Sequence, residues 1–126
     1  MAKVTDNRLG VRVDIVAAKD RDFDRRFHAQ FYSGTTLIDF EFTNYSGASL
    51  QVRRKPNSPI VELSFTTVAG SISFDGEGRF TLQLGYADMN NLRSGVYDYD
   101  MYLSNTTYPK RDFMYGEFEI TERVTR

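Results

Sequence analysis

Alternation with a period of two residues dominates this chain. Val11, Val13 and Ile15 are separated by Arg12 and Asp14, and Ile38, Phe40 and Phe42 by Asp39 and Glu41. The same pattern recurs at Leu50 and Val52, at Val61, Leu63 and Phe65, at Phe80, Leu82 and Leu84, and at Tyr97, Tyr99, Met101 and Leu103. Shorter instances occur at Ile72 with Phe74 and at Phe118 with Ile120. Phe27, Ala29 and Phe31 would share one face of a further strand. Successive side chains of a strand point to opposite faces, so each run reads as a strand buried on one side and wet on the other. Phe and Tyr number ten and eight, and such residues fit pleated, half-buried surfaces.

Turn chemistry separates the runs. Pro56-Asn57-Ser58-Pro59 is a loop, because proline fixes φ and has no N–H to give a ladder. Asp75-Gly76-Glu77-Gly78 is a hairpin signal, because glycine takes positive φ at little cost. One stretch breaks the period: Tyr86, Met89 and Leu92 recur at helical spacing and stop at Gly95, which predicts a short helix near residues 86–92. About nine short strands with frequent turns predict an all-β protein. With each sheet wet on one side, the expected architecture is an immunoglobulin-like antiparallel β-sandwich, with a barrel as the alternative.

A length of 126 residues fits a single domain spanning 1–126, with polar terminal arms at about 1–9 and 121–126. Sixteen basic and 17 acidic residues leave a net charge of −1. That is no footprint for non-specific nucleic-acid binding. No apolar run approaches the roughly 18 residues of a membrane helix, and the opening MAKVTDNRLG lacks the apolar centre of a signal peptide. The expectation is therefore no nucleic-acid partner, no membrane, and synthesis in a cytoplasm.

The motifs of catalysis and metal binding are weak or broken. Cysteine is absent, which removes disulfides and thiolate metal sites. His28 is the one histidine, falls on the polar side of its strand, and reads as a surface residue. Asp20, Asp22 and Asp24 match the first positions of an EF-hand loop, but Arg25 and Phe31 stand where glycine and glutamate are needed. That segment reads as a solvated charged loop in which Arg21, Arg25 and Arg26 pair with the aspartates. Asp98 and Asp100 share a strand face, an arrangement that more often meets solvent than cuts a sugar. Gly76 and Gly78 lead into a strand, not a phosphate-binding helix. The expectation is a protein with no catalytic residues, no cofactor and no metal.

What remains is a surface. The outer side of residues 97–103 presents Asp98, Asp100 and Tyr102. If Phe118 and Ile120 point inward, residues 113–121 present Phe113, Tyr115, Glu117 and Glu119 outward. The intervening ten or so residues suit an antiparallel pairing of the two runs. Four carboxylates and three aromatics would then share one face. Arg53 and Lys55 from residues 49–55 are one source of compensation; a basic partner anchored on the aromatics is the other.

Residues 48–120 carry a resemblance. Ala48-Ser49-Leu50-Gln51-Val52-Arg53-Arg54-Lys55-Pro56 is followed by Pro59-Ile60-Val61-Glu62-Leu63-Ser64, Gly70-Ser71-Ile72-Ser73-Phe74 and Gly78-Arg79-Phe80-Thr81-Leu82-Gln83-Leu84. Then come the short acidic helix, Leu92-Arg93-Ser94-Gly95-Val96-Tyr97-Asp98-Tyr99-Asp100 and Gly116-Glu117-Phe118-Glu119-Ile120, ahead of Val124-Thr125-Arg126. This resembles small β-sandwich structural proteins of tailed bacteriophages, and is similar in particular to the N-terminal domain of upper baseplate proteins. The resemblance implies a structural virion protein of the tail, baseplate, neck or capsid surface. Its partners would be other virion proteins, met in many copies in a symmetric assembly. A carbohydrate- or receptor-binding module is the alternative.

Overall fold

The computed structural model describes residues 2–5, 10–19 and 21–122. Its strands are β1 (Ala2–Thr5), β2 (Val11–Arg12), β3 (Ile15–Ala18), β4 (Phe23–Ser33), β5 (Thr36–Asp39), β6 (Gly47–Arg53), β7 (Leu63–Thr66), β8 (Ile72–Gly76), β9 (Arg79–Leu84), β10 (Gly95–Ser104) and β11 (Arg111–Thr121). A 3-10 turn at Phe42–Asn44 follows β5, and helix α1 (Tyr86–Met89) links β9 to β10. One sheet has the order β1-β4-β9-β8, with β5 also on β4. The other runs β2-β11-β10-β6-β7, with β3 also on β11. With β1, β4, β8 and β9 as strands A, B, D and E, and β6, β7, β10 and β11 as C, C′, F and G, this is the strand order of an immunoglobulin-like sandwich.

The alternation places the core as expected. Phe27, Phe65, Phe80, Phe118, Leu50, Val52, Leu82 and Leu103 are fully buried between the sheets. The Phe27 and Phe80 rings stack at 4.9 Å across the β4–β9 pair. Burying each such side chain contributes about 1.5–3 kcal/mol, and ring pairs add about 1 kcal/mol. Met89 and Leu92 plug the end of the sandwich below α1, while Tyr86 stays exposed.

Several expectations need correction. Antiparallel pairing dominates both sheets, as expected, and the exceptions are β1, parallel to β4, and β2 and β3, both parallel to β11. Alternation reports which face is buried and carries no strand direction. Part of the expected polar arms is strand: Ala2–Thr5 pairs with β4, and Thr121 ends β11. Glu122 follows β11 as exposed coil, and residues 1, 6–9 and 123–126 of those arms lie outside the described residues, as does Asp20. The run Ile38, Phe40, Phe42 is not one strand. It leaves the sheet after Asp39 and turns, so that Phe42 enters the core through the 3-10 turn while Ile38 stays 40% exposed. Val61 likewise precedes β7 and is exposed.

The charged stretch before Phe27 is also more ordered than a solvated loop. Asp22 Oδ1 accepts the Tyr86 N–H at 2.7 Å and so caps α1. Phe23 already begins β4, and Arg25 donates to the Val16 carbonyl at 2.7 Å instead of to an aspartate. His28 is not a surface residue: it is 8% exposed. Its Nε2 lies 2.7 Å from Asp39 Oδ1, which also accepts the Gln30 side-chain N–H at 3.1 Å. These two hydrogen bonds hold the Asp39 carboxyl below the usual carboxylate range. Strands β1 and β9 flank His28 on β4, and Asp39 bonds its ring.

Two tyrosines tie strands to the core wall. Tyr97 Oη donates to the Arg93 carbonyl at 2.8 Å, the tyrosine corner that opens strand F in this class of sandwich. Tyr99 Oη reaches past Gly116, its partner on β11, and donates to the Val13 carbonyl at 2.6 Å. Burial raises the Tyr99 hydroxyl well above the ordinary tyrosine range, and the Asp14 carboxylate adds to the effect. Removing the corner hydrogen bond by Tyr97→Phe is expected to lower stability by about 1–2 kcal/mol. In urea unfolding this would appear as a lower midpoint with an unchanged m-value.

Candidate partner interface

Strand β10 lies between β11 and β6, so its outward side chains meet neighbours on both flanks. Asp98 stands opposite Glu117 on β11 and Arg53 on β6. Asp100 stands opposite Tyr115 and Gln51, and Val96 opposite Glu119. Tyr102 stands opposite Asp112, with the Lys110 ammonium 4.9 Å from its ring centre. Asp98, Asp100, Tyr102, Tyr115, Glu117 and Glu119 therefore do share one outer face, with Tyr115 46% exposed.

Phe113 does not belong with them. Met101 pairs with Met114, yet the next residue, Tyr102, pairs with Asp112. Phe113 is thus the extra residue of a β-bulge, which turns a side chain to the opposite face. It is 2% exposed and packs 5.4 Å from Phe40 and 5.8 Å from Phe80, ring to ring. Met114 also faces inward. The face carries two aromatics from this set, not three.

Charge compensation is partial. Arg53 Nη1 lies 3.4 Å from Asp100 Oδ1, and its other terminal nitrogen donates to Gln51 Oε1. Arg54 turns to Glu62 and lies over the Tyr97 ring. Lys55 falls beyond the end of β6 and joins no carboxylate of the face. Among the described residues, Asp98, Glu117 and Glu119 have no cation within ion-pair distance. Like charges directly opposite each other, as Asp98 and Glu117 are, destabilise a strand pair.

A residue that alternation could not assign here is Arg12. Strand β2 places it opposite Tyr115 through a pairing about a hundred residues apart in sequence, and its Nε holds Asp14 at 3.2 Å. Arg12, Arg53, Asp98, Asp100, Tyr115 and Gly116 line a depression of about 330 Å³ on this face. Gly116 is required by its neighbours: a Cβ there would collide with the Val13 carbonyl oxygen. The Val13–Asp14 corner instead closes onto β11, with Val13 N–H donating to Tyr115 O and Glu117 N–H to Asp14 Oδ1. Among the described residues no three of His, Asp and Glu converge at metal-ligating distance, and no helix is long and apolar enough to cross a membrane.

No family model matches the chain, and no curated protein matches it. Among solved structures, it is similar to a chain from "Structural basis of T cell specificity and activation by the bacterial superantigen toxic shock syndrome toxin-1". The match spans 87% of this chain and 92% of that one, at 10% identity and a TM-score of 0.43.

Proposed function

We propose that this protein is a structural component of a tailed bacteriophage virion, in the tail, baseplate, neck or capsid surface, made in the host cytoplasm and acting by protein–protein assembly without catalysis. The resemblance of residues 48–120 supplies the setting. The observation that carries an assembly role is the outer face of β10 and β11, where Asp98, Glu117 and Glu119 lack cationic partners among the described residues, beside an exposed Tyr115. A basic partner surface would relieve the repulsion, and Tyr115 would serve as its anchor, since aromatics are enriched in interface cores.

The test is the double variant Tyr115→Ala with Glu117→Lys. Both side chains are exposed, so the monomer should stay folded, with a stability change within about 1 kcal/mol. Incorporation into particles should be lost. Normal incorporation of the folded double variant would show this face to be solvated surface. A carbohydrate-binding reading is favoured by the depression itself, where the Tyr115 ring lies beside Asp98, Asp100 and two arginines. In that case Tyr115→Ala would abolish glycan binding and leave particle assembly intact.

A further inference from the structure

The β4–β5 hairpin creates a second surface, at the opposite sheet. Along one flank of β4, residues Phe23–His28 pair with β9 and residues Gln30–Ser33 pair with β5. The hand-over occurs at Ala29, whose N–H donates to the Gly78 carbonyl at 2.7 Å and whose carbonyl accepts the Phe40 N–H at 2.9 Å. Strand β5 therefore continues the line of β9 beyond the β8–β9 turn. The next line out is that of β8, which ends at Gly76. Beside β5 that line is open, and a groove of about 870 Å³ follows it. Leu37, Ile38, Phe40, Phe42, Tyr45 and Phe74 form its apolar lining, and Gly76–Gly78 lies along it.

Strand β5 pairs with β4 alone among the described residues. Ser33 and Thr36 close a two-residue hairpin, so the hydrogen-bonded pairs are Ser33 with Thr36 and Phe31 with Ile38. The N–H and C=O groups of Leu37 and Asp39 then point to the free edge. Proteins usually blunt such edges with lysine, proline or a bulge. The sequence Thr36-Leu37-Ile38-Asp39 has none of these, and Leu37 and Ile38 are 39% and 40% exposed. The charge of the groove has one sign: Asp39, Glu41 and Glu77 line it, and no lysine or arginine does among the described residues. Glu77 is held by Arg79 at 3.1 Å and Asp39 by His28, whereas Glu41 has no cation within reach among the described residues.

We propose that the free edge of β5 takes up an extended segment of a partner protein as an added strand, with apolar side chains at alternate positions and lysine or arginine between them. The backbone of the segment bonds to Leu37 and Asp39 and continues the line of β8. Its apolar side chains enter the groove over Ile38, Phe40 and Phe74, and its cations meet Glu41 and Asp39. Strand addition of this kind draws affinity from main-chain hydrogen bonds and selectivity from alternate pockets. A second copy offering its own β5 would gather Asp39 and Glu41 of both copies along one shared edge, which like-charge repulsion opposes.

The experiment titrates the full chain with a capped octapeptide of alternating valine and lysine, and with its valine–glutamate counterpart. Binding and amide exchange are followed by NMR. The valine–lysine peptide should bind at least about tenfold more tightly than the other, and at saturation should slow exchange at Leu37 and Asp39 about tenfold or more. Glu41→Lys, on an exposed turn, should remove most of that preference with the fold intact. Leu37→Pro, which removes an edge N–H that bonds nothing in β4, should abolish binding. Absence of binding by the valine–lysine peptide would overturn the proposal, as would equal affinity for both peptides or unchanged exchange at Leu37 and Asp39. Concentration-dependent protection of those amides without peptide would overturn it in favour of a second copy of the chain.

Discussion

Leu82→Asp is expected to leave the protein without a stable folded state, while Gln83→Asp, one position along, shifts stability by less than about 1 kcal/mol. Leu82 has no exposed surface and lies between Arg25 on β4 and Ile72 on β8 in the middle of its sheet. An aspartate there points into a core of phenylalanine and leucine, and the donor opposite it, the Arg25 guanidinium, is already bonded to the Val16 carbonyl. Burying an unpaired carboxylate costs several kcal/mol, on top of the lost apolar contact. Small domains have about 5–15 kcal/mol in total. Gln83 is on the opposite face, exposed, and its new charge would meet only Asp24 across the β4–β9 pair. Thermal melts of both variants decide the matter; equal losses would contradict the register of β9.

Gly116→Ala should cost about 2–4 kcal/mol, far more than adding a methyl group to an open turn. The added Cβ would collide with the Val13 carbonyl oxygen and lie 2.8 Å from Asp14 Oδ1 and 2.9 Å from the Val13 carbonyl carbon. Two of these atoms are backbone, so the β2–β3 corner must move. That displacement strains the Tyr99 hydroxyl bond to Val13 and the Asp14 bond to the Glu117 N–H. Gly85→Ala is the control, because nothing lies within 4 Å of the place its methyl group would take. It should change stability by no more than about 1 kcal/mol, measured by urea unfolding. A Gly116→Ala protein as stable as the control would mean that the Val13–Asp14 corner yields freely and closes nothing.

Burial was legible in this sequence wherever a strand kept its ladder intact. Leu50 with Val52, Phe80 with Leu82, and Tyr97 with Tyr99 and Met101 all face inward as the alternation requires. It failed where one residue was added or the ladder stopped. Phe113 looks identical to an outward residue until the bulge opposite Met101 and Tyr102 is known, and a bulge depends on the partner strand. Ile38, Phe40 and Phe42 keep the period of two, but the 3-10 turn delivers Phe42 to the core by another route. His28 is bonded by Asp39 and flanked by β1 and β9, none of which is its neighbour in sequence. On the candidate face, the acids of β10 and β11 were readable because a ten-residue connection favours their pairing. Arg12 was not, because nothing local links it to Tyr115. The tyrosine corner did have a local signal: Tyr97 follows Gly95 at the start of a strand, two positions before the inward Tyr99, the spacing such sandwiches use.

The position of β11 between β10 and the β2–β3 segment has a consequence for synthesis. Val11 pairs with Met114 and Ile15 with Phe118, so roughly 100 residues must be translated after β2 before it has a partner. At ordinary translation speeds that is a wait of roughly 5–20 s. Through that interval β4 with β5 and β8 with β9 can already form hairpins, but the edge of β10 that will receive β11 stays uncovered, with Tyr99 and Met101 on its unsealed apolar side. The nascent chain is therefore most exposed to misassociation late, while β11 is being made. Slow codons between β10 and β11 would lengthen that window, and slow codons ahead of β2 would not.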